Sequence, residues 1–140
     1  MTGFAARVAV LGMLCGMVGA CTREPVSAVA THSSMDAAGL SISFKVDPDP
    51  PRAGENKLEV SLAQAGVPVT DAAVTAEFYM PAMPSMNMPE MRSKFPLQPM
   101  GGGVYRGNGS LIMGGTWNVT ITASRAEEKI GSGKYTVIAK

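Results

Sequence analysis

The chain has 140 residues, a formal net charge of +1 and two cysteines. That length fits a single domain, and a near-neutral chain with no Lys/Arg cluster offers nothing to a nucleic acid. What is unusual is the supply of methionine, proline and glycine: eleven, ten and sixteen residues.

The first segment, Met1–Ala20, carries one positive charge at Arg7 and then an apolar, charge-free run from Val8 to Val18. That run suits a signal h-region and is shorter than the roughly 20 apolar residues a permanent transmembrane helix needs. It closes on Val18-Gly19-Ala20-Cys21. This resembles the lipobox of bacterial lipoproteins, in which the cysteine sulfur is joined to diacylglycerol. Cys21 is accordingly expected to be lipidated, with the membrane as the first partner. The alternative is a plain secretory signal ending near a cysteine. With Cys15 removed and Cys21 acylated, no cysteine pair remains for a disulfide or a thiolate metal site. The expected location is the cell envelope, facing the periplasm; by resemblance to enterobacterial lipoproteins, Thr22 after the cysteine favours the outer membrane.

Residues 21–38 are small and polar and are expected to form a lipidated, flexible tether. The domain is expected over residues 39–140. Period-2 alternation begins at Leu40, Ile42, Phe44 and Val46, the pattern of a half-buried strand. After the breaker run Asp47-Pro-Asp-Pro-Pro-Arg-Ala-Gly, a second strand follows with Leu58, Val60 and Leu62 inward. Val74, Ala76, Phe78 and Met80 mark a third. Prolines in Pro81–Pro89 interrupt the ladder. A short extended piece is expected at Lys94–Leu97. Tyr105, Gly107, Gly109, Leu111 and Met113 mark the next strand, whose glycines predict a bulge or a close backbone approach. Trp117, Val119 and Ile121 give the clearest alternation, and a last strand ends at Tyr135, Val137 and Ala139. About seven strands without an amphipathic helix predict an all-β, immunoglobulin-like antiparallel β-sandwich.

The chemistry-bearing stretch is Met80-Pro-Ala-Met83-Pro-Ser-Met86-Asn-Met88-Pro-Glu-Met91. A thioether is soft, uncharged and needs no deprotonation, so it suits Cu(I) or Ag(I) and serves magnesium, calcium or zinc poorly. In a polyproline II helix Met80, Met83 and Met86 would share a face about 9 Å apart, too far for one ion. A bend at Met86-Asn-Met88 and Pro89 would instead gather Met86, Met88 and Met91. The candidate ligands are therefore Met80, Met83, Met86, Met88, Met91 and Met113, with copper, as Cu(I), the expected cofactor. Met80 and Met113 also continue inward-facing strand phases and suit core filling. The loop methionines equally suit an adaptable protein-docking surface. His32, in the tether, is expected to be solvated, and Trp117 to be core. Nothing suggests catalysis: Glu77 and Glu90, the acids nearest the methionines, have no evident partner. The chain is not expected to be an enzyme, and action on cell wall or sugars is the weakest reading.

The stretches Gly54-Glu-Asn-Lys-Leu-Glu-Val, Gly66-Val-Pro-Val, Tyr79-Met80-Pro-Ala-Met83-Pro-Ser-Met86, Gly103-Val-Tyr-Arg-Gly and Met113-Gly-Gly-Thr-Trp117-Asn-Val-Thr-Ile together resemble the YtkA-like domain, to which FixH-type proteins are related. The resemblance covers about residues 40–138. It implies a β-sandwich in the bacterial envelope. It also implies partners among copper transporters, heavy-metal efflux adaptors or oxidase-assembly proteins. FixH has a membrane helix where this chain has the expected lipid anchor. A metal-free interaction module in a membrane-associated assembly is the competing function.

Overall fold

The computed structural model describes residues 31–36 and 39–140; the expected signal Met1–Ala20, Cys21 and most of the tether lie outside the described residues. The alternation read from the sequence appears as strands whose odd and even positions separate core from solvent. They are β1 (His32–Met35), β2 (Leu40–Asp47), β3 (Gly54–Gln64), β4 (Val67–Pro68), β5 (Ala73–Met80), β6 (Met91–Gly101), β7 (Val104–Leu111), β8 (Gly115–Arg125) and β9 (Glu128–Ala139). Among the described residues a single 3₁₀ turn, at Pro84–Met86, interrupts them. Among the described residues no helix is long and apolar enough to cross a membrane.

All pairings are antiparallel, in the order β1-β2-β3-β7-β6-β5-β8-β9, with the short β4 on β3. The order folds into a sandwich because β6 belongs to both layers. Its first part, Met91–Leu97, pairs with β5, and Gln98, Pro99 and Gly101 pair with β7, with a register shift between Pro99 and Gly101. One layer is β1-β2-β3-β7 and the other β6-β5-β8-β9. The layers meet through Phe44 of β2 and Phe78 of β5, edge to face at 6.3 Å between centroids. Such aromatic pairs contribute about 0.5–1.5 kcal/mol beyond burial. The opposite corner is nearly closed: Tyr135 of β9 stacks on Phe44 at 5.5 Å and donates its hydroxyl to the Ile42 carbonyl at 2.8 Å. The expected β-sandwich is therefore the observed fold, drawn almost into a barrel.

The core is the inward set of every strand, including Leu40, Ile42, Phe44, Val60, Trp117 and Ile121, each fully buried. Tyr105 is buried too, and its hydroxyl donates to the Val69 carbonyl at 2.9 Å and accepts from the Ala72 amide at 3.2 Å. It thereby fixes the crossing into β5. Gly103 has φ +77°, and a Cβ there would lie 2.6 Å from the Leu62 carbonyl oxygen. That turn tolerates no side chain.

Three expectations need correction. His32–Met35, read as tether, form β1 in register with β2, from His32 opposite Phe44 to Met35 opposite Ser41. His32 is half-buried there, its ring 6.4 Å from Phe44 and 6.0 Å from Tyr135, because the edge of β2 offers unpaired backbone groups that a short strand can satisfy. The piece expected at Lys94–Leu97 is an eleven-residue strand. Finally, β7 ends at Leu111, so Met113 lies in the turn before β8.

Candidate metal-binding hairpin

Antiparallel pairing carries the β5–β6 hairpin past its formal ends. Met80 and Met91 are register partners. Beyond them Met83 and Met88 form an isolated antiparallel bridge, exchanging both backbone bonds, Met83 N–H to Met88 O at 2.9 Å and Met88 N–H to Met83 O at 3.1 Å. Directly opposed residues place their Cβ atoms about 4.5–5.5 Å apart on one face of the ribbon. The hairpin thus carries two cross-strand methionine pairs in succession. At the tip, Pro84–Met86 form the 3₁₀ turn, closed by Met86 N–H to Met83 O at 3.0 Å and Asn87 N–H to Pro84 O at 3.1 Å. Asn87 takes the left-handed conformation at φ 52°, which asparagine tolerates better than most residues.

The bend is therefore real and lies at Pro84–Asn87, overlapping the first part of the expected Met86-Asn-Met88-Pro89 stretch. It pairs Met83 with Met88, where the sequence suggested gathering Met86, Met88 and Met91. Exposure sorts the six candidates. Met80 is 2 % exposed and sits within the core. Met83, Met91 and Met113 are half-buried and pack against the core's rim. Met88 is half-buried. Met86, at the tip, is 63 % exposed. Met80 is thus part of the core and unreachable from solvent directly, as its strand phase implied.

Elements around the hairpin fix this end. One step past the Tyr79–Asn118 pairing of β5 and β8, Met80 falls opposite Trp117. The indole N–H of Trp117 donates to the Met113 carbonyl at 3.1 Å, which holds the Met113 turn over the core. Gly115 was not singled out by the sequence reading. A Cβ on it would lie 2.9 Å from the Met80 methyl carbon, so its missing side chain makes room for Met80; the Gly114-Gly115 pair was the available signal. On the outer face, Tyr79 donates to Glu90 at 3.2 Å and lies under the Arg92 guanidinium at 4.5 Å. Arg92 also reaches Glu77 at 3.5 Å and Glu90 at 3.7 Å, and Lys94 reaches Glu77 at 3.2 Å. Glu77 and Glu90, for which the sequence offered no evident partner, are engaged with Arg92, Lys94 and Tyr79. Exposed pairs of this kind contribute about 0–1 kcal/mol each.

Among the described residues no group of three or more His, Cys, Asp or Glu is gathered for a metal. The donor set at the hairpin is thioether sulfur, which fits a soft monovalent ion and fits hard divalent cations poorly. The two titrating groups perturbed among the described residues lie elsewhere. A hydrogen bond from Arg125 at 2.6 Å holds the Asp71 carboxyl below its ordinary value, against the opposing effect of desolvation. Burial pushes the Tyr135 phenol up, partly offset by its 2.9 Å hydrogen bond with Ser34. A groove of about 730 Å³ crosses the outer face of β2, β3 and β7, but the bridges of Glu59 to Lys45 at 4.0 Å and Arg106 at 2.7 Å run along it.

Fold and site together define a cysteine-poor β-sandwich domain that presents a methionine-paired hairpin at one end. The chain belongs to the YtkA-like family, whose model matches residues 35–122, from the end of β1 into β8 and including the whole hairpin. Among solved structures it is similar to the soluble domain of PmoD from Methylocystis sp. ATCC 49242 (Rockwell). The two share 12% identity with a TM-score of 0.47, over 77% of this chain and 96% of that one. No curated protein matches the chain.

Proposed function

We propose that the chain is a lipid-anchored envelope protein that takes up a soft monovalent metal, Cu(I), on the Met/Pro hairpin, for tolerance or for delivery to a membrane partner. The observation that carries this reading is the succession of methionine pairs, Met80 with Met91 and Met83 with Met88. Core filling accounts for Met80, but it does not account for a second pair and an exposed Met86 on a proline-rich tip. Met83, Met88 and Met91 would hold the ion, and Met86 is the donor solvent reaches first. The metal supplies no chemistry to the protein in this role; the chain's part is to offer uncharged sulfur on a pre-shaped hairpin, which needs little reorganisation to bind.

Titration of the mature domain with Cu(I) against a competing chelator tests the idea. Replacing Met83, Met86, Met88 and Met91 together by leucine keeps apolar volume and removes sulfur. Retention is expected to fall at least about 100-fold, by analogy with the loss when metal ligands lose support, while the fold persists because Leu–Met exchanges cost under about 1.5 kcal/mol. Weak retention by the wild type, or retention unchanged in the leucine variant, overturns the reading.

The exposure of Met86 favours a second reading, a metal-free docking module. The same variant separates the two, since leucine should spare an apolar interface.

A further inference from the structure

We propose that the hairpin end of the sandwich is the end that faces the bilayer, resting Ile112 and the Met86 tip on the headgroup layer of the membrane that holds the anchor. This rests on the lipid-anchor part of the proposed function and not on its metal part.

Exposed apolar side chains alone do not choose an end. Met86, Ile112 and Ile138 are 63 %, 69 % and 65 % exposed at the hairpin end, but Met35, Val67 and Met100 are also well exposed toward the other. Strand direction favours the hairpin end. The hairpin end also collects the last residue of β2, the first of β3 and the last of β7, because Asp47 pairs with Lys57 and Gly54 with Leu111. The proline loop after Asp47 is tied there to the C-terminal residue, Lys140 N–H to Pro51 O at 2.8 Å and Ala53 N–H to Lys140 O at 2.9 Å. β2 therefore runs toward the hairpin end, and β1, antiparallel to it, runs away from it.

The chain before His32 consequently enters β1 from the hairpin side. His32 lies opposite Phe44, so only Lys45, Val46 and Asp47 separate its level from that rim, about 10 Å at strand rise. Residues 22–31, between Cys21 and β1, span at most about 33 Å. An anchor beneath the hairpin end needs no change of chain direction. One beneath the far end requires the chain to reverse at His32 and run back beside β1. The ladder with β2 and the Ser34–Tyr135 hydroxyl contact at 2.9 Å hold β1 in this direction. Exposed charge does not choose either: the far end carries the turn from Arg125 to Lys129, and the hairpin end carries Asp47, Asp49, Arg52 and Lys140. Shallow seating of apolar side chains at the headgroup boundary, about 5–10 Å deep, is the usual mode for such a contact.

The test uses the full mature, acylated protein in phosphatidylethanolamine/phosphatidylglycerol vesicles. Ile112→Cys and Val67→Cys are made separately, each giving one free thiol for a fluorophore because Cys21 is blocked by its lipid. Neither position belongs to the proposed metal set. Lipids brominated near the headgroup are expected to remove about half of the Ile112 label's emission and to leave the Val67 label unchanged, the two ends being about 30 Å apart along β3. Equal quenching, or quenching at Val67 alone, overturns the orientation. So does an unquenched Ile112 label, whether aqueous iodide reaches it or a second copy or other protein shields it. The mass of Cys21 in the same sample separates the failures: acylation with the wrong quenching sinks the orientation only, whereas an unacylated Cys21 sinks the anchored reading with it.

Discussion

The hydroxyl of Tyr135 joins three strands: it lies on β9, donates to Ile42 O of β2 at 2.8 Å and meets the Ser34 hydroxyl of β1 at 2.9 Å. Removing it takes away a buried hydrogen bond at the corner where the sandwich nearly closes. Tyr135→Phe is expected to cost about 1–2 kcal/mol at neutral pH, read from urea unfolding. The pH dependence gives a second signature. Burial raises the folded-state value above the ordinary 10.0, so the stabilisation is complete below pH 10.0 and is lost as pH rises through the raised value. The wild type should lose stability along that alkaline limb and the variant should not, so the gap narrows. A gap constant across the limb would mean that the phenol is not protected. At this scale, side chains inside a strict alternation were readable beforehand: Met80 follows Val74, Ala76 and Phe78 inward, and Trp117 is fully buried. His32 was not. It stands among small polar residues, and its neighbours Phe44 and Tyr135 are brought to it only by tertiary pairing.

Among the elements, β6 holds the sandwich together by changing layers, and β7 must make room for it. A Cβ on Gly109 would lie 2.9 Å from Phe95 Cδ2 and 3.0 Å from Leu58 Cδ1; one on Gly107 would meet Leu97 Cδ2 at 2.7 Å and Pro96 O at 3.0 Å. The expected close approach is thus the crossing of β6 over β7. Gly109→Ala would ordinarily gain about 0.5–1 kcal/mol in a strand. Here the methyl displaces a packed ring, and overpacking of about 1–3 kcal/mol prevails. The denaturation midpoint should fall with the slope unchanged; a rise would show that Phe95 moves aside without cost. The glycine spacing disclosed this contact, but the full length of β6 stayed hidden because Pro96 and Pro99 read as breakers. Both are tolerated because β6 is at a sheet corner, where few ladder bonds are required of it. The hairpin was half legible for a similar reason. Methionine spacing indicated a cluster, whereas the Met83–Met88 bridge depends on the turn geometry at Pro84–Asn87, which composition does not specify.

For the whole molecule, the question is whether β1 is part of the folding unit or a strand added to its edge. The family match begins at Met35 and so leaves nearly all of β1 outside. None of the four β1 residues is fully buried; half-buried and exposed positions alternate. Its attachments are its ladder with β2, the Ser34–Tyr135 contact and the His32 ring packed beside Phe44 and Tyr135. A soluble chain of Gly39–Lys140 loses all three but keeps the Tyr135–Ile42 bond, and with it the nearly closed corner. At about 0.5–1.5 kcal/mol net per hydrogen bond, reduced by the entropy regained when the strand is released, the loss should be about 1–2 kcal/mol. The truncated domain is therefore expected to stay folded, with Trp117 buried and a lower urea midpoint. It should also self-associate more readily, because β2 becomes an open edge. Failure to fold would make β1 integral to the core, whereas an unchanged midpoint would reduce it to a passenger; the direction it imposes on the anchor would then lose its structural basis.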